Sequence, residues 1–388
     1  MIDVIVVGAG PAGSIAALVL ARAGAQVWLL EREAMPRPKL CGDTLNPGAV
    51  AALADLGLTG GPLADALALD GMLITGPQVA LRARYPAGQV GRAIARGPLD
   101  AWLAEAAVAA GARLECDVRV RGPLWRDGRT GAPSVAGVLL AADDRRAIRV
   151  PAAVTIAADG RRSVLARAAK LSAHPSTPRR WAFGVYASGV RGLSTMGEMH
   201  VRRGHYIGVA PVGDGRANVC VVTGVRPAGV TPIELIARAL ARDPQLRERT
   251  EGWRAEGRPR VLGPLAVDCV RAGMPGLLLA GDAAGFIDPM TGDGIHLAIR
   301  GGAMAAAAAL EALESGDTDR AATDLTARRA AALGTKLRFN RLMRALVGST
   351  LALELAGVGA RIAPAVLRRL VCVAGDVPSN RAESEGAA

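Results

Sequence analysis

Lysine is nearly missing from this chain of 388 residues: Lys39, Lys170 and Lys336 are its only ones, so the net charge of +12 rests on arginine. A basic surface attracts nucleic acid and anionic membranes. Here the arginines fall in short scattered clusters such as Arg145-Arg146, Arg161-Arg162 and Arg179-Arg180, which suits solvated faces better than a continuous binding stripe. Aromatic residues are just as scarce, and three phenylalanines with three tyrosines offer few platforms on which bases could stack. No nucleic-acid partner is expected. Cysteine is limited to positions 41, 116, 220, 269 and 372, with no CxxC and no Cys/His pair at metal-ligand spacing. That excludes a zinc-type centre and fits reduced thiols. Ahead of the apolar run Val4-Ile5-Val6-Val7 there is no room for the charged start, apolar stretch and cleavage site of a secretory signal. The longest apolar stretch, residues 345–360, contains Glu354 and falls short of the ~20 residues that span a bilayer. The expectation is a cytoplasmic protein without a membrane span.

Glycine and alanine, by contrast, are abundant, and they first gather around a β-α-β unit. Residues 4–7 read as a buried strand, 13–23 as a helix and 27–30 as a second strand, with runs that lack the polar alternation of a half-exposed sheet. Residues 99–110 are again helical, Gly111 stops them, and 113–120 are strand-like. Further strands are expected at 153–157 and 276–280, so one sheet is assembled from distant parts of the chain. Between these parts the texture changes to short strand signals at 181–187, 206–209 and 217–223, broken by Gly and Pro turns, as in an antiparallel sheet. Beyond Gly301 the chain is alanine-rich and helical to about residue 370, with a polar tail at 378–388.

Chemistry concentrates in a few segments. Gly8-Ala9-Gly10-Pro11-Ala12-Gly13 follows a strand and opens a helix, so its glycines permit a tight turn and its amides and helix dipole can hold a pyrophosphate. Glu31, followed by Arg32, ends the second strand, where a carboxylate can hold ribose hydroxyls. This much indicates a dinucleotide without choosing between FAD and NAD. Two further segments are Asp159-Gly160-Arg161-Arg162-Ser163 and Ala280-Gly281-Asp282-Ala283-Ala284-Gly285. They resemble the DG and GD motifs of the flavoprotein aromatic hydroxylase superfamily (p-hydroxybenzoate hydroxylase-like).

The resemblance spans residues 4 to about 300, with the motifs in the expected order. It implies an α/β fold: a Rossmann-type FAD-binding domain, an inserted antiparallel β-sheet facing the substrate, and a C-terminal helical region. The FAD-binding parts are expected at 1–71, 96–175 and 266–310, the substrate layer at 72–95 and 176–265, and the helical region at 311–388. By the same resemblance Asp282 binds the ribityl or ribose portion of FAD, and Arg96 lies near its pyrophosphate. Pro289, Gly292, Gly294 and Ile295 belong to a segment whose amides lie beside the flavin pyrimidine, with a helix N-terminus that favours anionic reduced flavin. Residues 39–48, with Cys41 and Gly42, are similar to a loop of the geranylgeranyl-reductase-like and halogenase-like branches that passes close to the isoalloxazine. Cys41 is equally readable as a small packing residue.

Within this superfamily reduced flavin either forms a C4a-hydroperoxide with oxygen or passes hydride to a double bond. The expectation taken forward is a monooxygenase that uses FAD, with NAD(P)H as a transient reductant, on a small apolar or aromatic substrate. The alternative is a double-bond reductase of the geranylgeranyl reductase type. Halogenation is disfavoured: Gly204-His205-Tyr206-Ile207-Gly208-Val209-Ala210-Pro211 lacks the tryptophans of the GWxWxIP motif, and residues 42–169 contain no lysine. A flavin-binding module without catalysis is the remaining class. No complete second GxGxxG exists, because Ile362 stands where Gly357-Val358-Gly359 would need its third glycine, so a separate nicotinamide domain is not expected. Cys41, His205 and His296 are weak candidates for acid–base work. Contact with a membrane surface is expected only if the substrate is a lipid, and the oligomeric state is open.

Overall fold

The computed structural model describes residues 2–127, 133–142, 146–176, 179–347, 369 and 372–377. Much of the region from 345 to 370, with the Gly357-Val358-Gly359 segment, and the tail from 378 lie outside these residues. The central sheet has the order Gly273–Met274, Leu277–Leu279, Val154–Ala157, Val4–Val7, Val27–Leu30 and Arg113–Glu115. Every pairing in it is parallel except that of Gly273–Met274 with Leu277–Leu279. Val4–Val7 is buried at all four positions because both faces of the sheet are covered, which is what its unbroken β-branched run requires.

One face carries helices α1 (Pro11–Arg22) and, packed on it, α3 (Arg96–Ala109) and α6 (Gly294–Ser315). Between α1 and α3 the chain forms α2 (Pro47–Asp55), whose N-cap Asn46 accepts the Ala49 amide through Oδ1 at 2.8 Å. Sequence patterning placed the starts of α1 and α3 too late. Pro11 occupies the first turn of α1 and Pro98 the first turn of α3, where a missing N–H costs nothing. The other face is covered by an antiparallel sheet of Val120–Asp127, Pro133–Ala141 and Ala147–Pro151 rather than by helices. This sheet was not expected, and it splits the anticipated strand 113–120 into Arg113–Glu115 and the start of the next strand at Val120. Helix α4 (Val164–Ala168) closes this side, capped by the Ser163 hydroxyl.

The second layer is a seven-stranded sheet ordered Arg254–Leu262, Trp181–Ser188, Ala217–Thr223, His205–Pro211, Met196–Arg202, Gly71–Thr75 and Ala80–Arg84. Its outer face packs on α5 (Pro232–Arg242), which starts with a Thr231/Glu234 capping box. Its inner face looks back at the first layer. Of the expected strands in 72–95, Gly91–Ala93 departs from this sheet and joins Thr44–Leu45 and Leu67–Leu69. Helix α7 (Thr318–Val347) lies along α6, and residues 372–377 return across the first layer. There Asp376 accepts from Asn46 Nδ2 at 3.1 Å and pairs with His296 at 2.8 Å and Lys336 at 3.0 Å. The arginine clusters are not simply solvated: Arg161 and Arg162 donate to the carbonyls of Pro264 and Gly263, and Arg180 pairs with buried Asp288 at 3.1 Å. Among the described residues no helix is long and apolar enough to cross a membrane.

Two glycines probe the helix packing in opposite ways. A Cβ at Gly302 would fall 2.2 Å from the carbonyl oxygen of Ala12, so α6 crosses α1 backbone against backbone, whereas Gly334 on α7 has open space around it. Gly302→Ala is expected to destabilise by ~1–3 kcal/mol, and Gly334→Ala to stabilise by ~0.5–1 kcal/mol. Thermal denaturation of the two variants should therefore move Tm in opposite directions.

Candidate active site at the cofactor cleft

The glycine turn is held by its neighbours as well as by its own sequence. Gly8 has φ +100° and a Cβ there would sit 2.6 Å from the Ala158 carbonyl oxygen, while one at Gly13 would sit 1.8 Å from that of Gly8. Only glycine fits at either position, and the turn lies directly under the strand-to-loop junction of Asp159-Gly160. Glu31 is buried and accepts the Ala9 amide through Oε2 at 2.9 Å and the Arg32 amide through Oε1 at 3.0 Å. The Arg32 side chain turns outward to Glu33, with 70% of it exposed. Arg37, which sequence reasoning missed, takes the inward place: it pairs with Glu31 at 3.3 Å and Asp100 at 3.4 Å, and Nη2 lies 3.5 Å from where a Gly10 Cβ would be.

From this turn a cleft of about 210 Å³ runs between the two layers. Its first-layer wall includes Gly10, Pro11, Ala12, Gly160, Gly281 and Asp282, so the two distant motifs converge on the turn. Pro289, Gly292, Gly294 and Ile295 continue the wall at the start of α6. Cys41, Gly42 and Arg96 form the opposite rim. Arg96 is buried and grips Asp100 with both arms of its guanidinium, at 2.8 and 2.9 Å, while its positive charge also faces Cys41. Burial and the neighbouring Arg96 push Lys39 down to about 8. Burial raises the Cys41 thiol, so it is not an activated nucleophile. Asp159 itself faces away from the cleft and caps α4 by accepting the Val164 amide at 2.9 Å.

The wall contributed by the seven-stranded sheet is largely apolar, with Met72, Ala182, Met199, Val222 and Leu262, and Phe286 adds to the lining. Glu198 belongs to that wall, yet its carboxylate is turned onto Arg249 at 2.7 Å and His200 at 2.9 Å. Tyr206 reaches Asp288 through its hydroxyl at 2.6 Å. His205, one residue earlier, lies outside the cleft lining, and its burial holds its pKa below the usual histidine value. His296 is a packed residue of the first turn of α6, bonded to Asp376. The geometry thus brings Cys41 to the cleft and leaves both histidines out.

A narrow glycine cradle, three cations at its rim and a carboxylate at Asp282 suit an anionic dinucleotide. A family model described as "FAD binding domain" matches residues 1–338. The chain belongs to the FAD-binding flavoprotein family. This flavoprotein is 32% identical over 342 residues to menaquinone reductase of Mycobacterium tuberculosis, covering 82% of this chain and 78% of that protein. It is likewise 32% identical over 331 residues to digeranylgeranylglycerophospholipid reductase 1 of Methanopyrus kandleri, covering 81% and 82%. Among solved structures, the flavin-dependent brominase Bmp2 superposes with a TM-score of 0.83 at 21% identity, over 97% of this chain and 93% of that one. A geranylgeranyl bacteriochlorophyll reductase-like protein from Thermoplasma acidophilum superposes with a TM-score of 0.76 at 24% identity, over 96% and 91%. The protein is an FAD-dependent oxidoreductase with an α/β flavoprotein fold, as its motifs implied. Gly10 to Gly13, Arg37, Arg96, Lys39 and Asp282 are the residues that would hold FAD.

Behind Cys41 lies a second feature without a sequence signal. Asp43 is fully buried with φ +54°, and its Oδ2 accepts from Tyr186 Oη and Asn218 Nδ2, both at 2.6 Å. Burial outweighs these donors and pushes its carboxyl up to about 6, while burial and the Asp43 charge raise Tyr186. A carboxyl raised on folding binds its proton more tightly in the native state, so its penalty builds as pH rises from about 4 to 6 and is constant above.

Two measurements follow from this geometry. Asp282→Ala is expected to lose FAD on gel filtration, where the wild type stays yellow. In Asp43→Asn, stability relative to the wild type should rise by about 3 kcal/mol between pH 4 and pH 6, given roughly 1.4 kcal/mol per pKa unit, and then level off. A difference independent of pH in denaturant titrations would refute the second.

Proposed function

We propose that this flavoprotein reduces a carbon–carbon double bond in the isoprenoid chain of a lipid-like substrate, with NAD(P)H as the electron source. The observation that carries this reading is the apolar wall of the seven-stranded sheet, where Met72, Met199, Val222 and Leu262 face the cleft and the one carboxylate, Glu198, is turned onto Arg249. Such a surface binds hydrocarbon by burial and offers no anchor for a charged small molecule. The names of the relatives at 32% identity support the same direction, since menaquinone and digeranylgeranylglycerophospholipid both carry isoprenoid chains. Hydroxylation, the first expectation from sequence, has no comparable support from those relatives.

When bound, reduced FAD would supply the hydride that saturation of a double bond needs, the accompanying proton coming from solvent. The chain's own part is to bind and to exclude water. Met72 and Met199 have unbranched, polarizable side chains that adapt to a flexible alkene. Leu262 and Phe286 add apolar surface to the lining, which favours exclusion of water from the reacting segment. Arg96 and Lys39 hold positive charge at the rim, where anionic phosphates are neutralised.

The test is a turnover assay with geranylgeraniol and NADPH, run without oxygen and followed by mass spectrometry. The expected product has gained two hydrogen atoms per reduced bond. A product that forms only in air and has gained an oxygen atom would replace this reading with hydroxylation. Glu198→Gln leaves the apolar wall in place and should retain most of the activity.

A further inference from the structure

The loop of residues 38–42 brings Lys39, Cys41 and Gly42 to the cleft, yet it belongs to no helix or strand. Among the described residues no backbone–backbone hydrogen bond holds it. Its cation does not hold it either: Lys39 has no ion-pair partner among the described residues, whereas Arg37 and Arg96 are tied to Glu31 and Asp100. The fastening comes from the seven-stranded sheet. Asn218 Nδ2 donates to the Cys41 carbonyl oxygen at 2.9 Å and to Asp43 Oδ2 at 2.6 Å. Tyr186, directly opposite Asn218 on the strand Trp181–Ser188, donates through Oη to the same Oδ2 at 2.6 Å. On that strand the missing side chain of Gly184 leaves the space that Leu40 occupies. From the other side the Asp43 carbonyl oxygen accepts the Ile94 amide at 2.8 Å. Asp43 is fully buried, so water cannot replace its donors, and once it is ionised both bonds to Oδ2 are of the charge-assisted kind. Tyr186 itself does not line the cleft.

We infer that Asp43 and Tyr186 are positioning residues of the cofactor site: they act through residues 38–42, pinning that loop to the seven-stranded sheet so that it stays closed on FAD. A loop with so few bonds of its own opens locally at little cost, and these two side chains set that cost. A residue of the substrate layer thereby governs how long the other layer keeps its cofactor. This rests on the cleft being the FAD site and is independent of the reaction proposed above.

The scarcity of lysine lets endoproteinase Lys-C read this loop directly. Its three sites are Lys39 in the loop, Lys170 on an exposed turn after α4, and Lys336 buried in α7. Where opening and reclosing are fast, cutting follows the population of the open form. In the full-length protein at saturating FAD, Tyr186→Phe is expected to speed cutting after Lys39 about tenfold, as for loss of one hydrogen bond to a charged group, with Lys170 and Lys336 cut at wild-type rates. Release of FAD on dilution, followed by flavin fluorescence, should quicken about tenfold in the same variant. In an Asp43→Ala background Tyr186→Phe should add nothing, because its partner is gone. Asp43→Asn keeps an acceptor for both donors and should restore most of the retention lost in Asp43→Ala. Equal acceleration at all three lysines, unchanged FAD release, or a full effect of Tyr186→Phe without Asp43 would each overturn the inference. If Asp43→Ala does not fold, the site-specific cutting and FAD release of Tyr186→Phe decide. No turnover enters these measurements, so a failure to reduce any isoprenoid counts against the proposed reaction and not against the pinned loop.

Discussion

Main chain lies against main chain where α1, α6 and the loop after Val154–Ala157 meet, and the rest of the architecture depends on that closeness. A side chain at Gly13 would strike the Gly8 carbonyl, one at Gly8 would strike Ala158, and one at Gly302 would strike Ala12. A Cβ at Gly281 would in turn meet the Ala12 methyl group at 2.8 Å. Removing four side chains lets three segments far apart in sequence share one small volume. The N-terminus of α1 opens onto that volume, and its dipole and first-turn amides place positive potential where a pyrophosphate belongs.

That volume was legible in the sequence because each contributor carries its own local signature. Val4-Ile5-Val6-Val7 followed by Gly8 to Gly13 can hardly form anything but a strand, a turn and a helix, and Asp159-Gly160 and Gly281-Asp282 each follow a strand of their own. The antiparallel sheet of Val120–Asp127, Pro133–Ala141 and Ala147–Pro151 had no such signal, since Arg121, Gly122 and Pro123 break the alternation that marks a strand. Arg37 and Asp43 were missed for a different reason. Nothing next to either residue announces that a partner 60 or more positions away, Asp100 for Arg37 and Tyr186 for Asp43, will bury it. The place of His205 stayed open in the sequence because strand patterning gives the alternation of side chains but not which face meets the cleft.

Arginine does more inside this protein than its scattered positions suggest. Arg96 with Asp100, Arg202 with Asp243, Arg249 with Glu198 and Arg180 with Asp288 are pairs in which the carboxylate is buried. The planar fork of arginine saturates a carboxylate geometrically, which a lysine ammonium cannot do as completely. The near absence of lysine is thus consistent with a fold that keeps many of its carboxylates out of water. An exception is Asp43, whose two close donors are neutral and whose carboxyl burial pushes up to about 6.

The order of strands in the central sheet bears on how the protein comes into being. Val4–Val7 pairs with Val154–Ala157, which in turn pairs with Leu277–Leu279, so neighbours in the sheet are separated by more than a hundred residues of chain. Parallel pairing across such distances makes folding slow, because each loop must close before its contacts repay the entropy lost. The glycine turn emerges early in synthesis, yet Asp282 and α6 must arrive before it faces anything that can grip a dinucleotide. Cofactor capture therefore belongs to the end of folding, and the side of the first strand opposite Val27–Leu30 stays an open edge until Val154–Ala157 arrives.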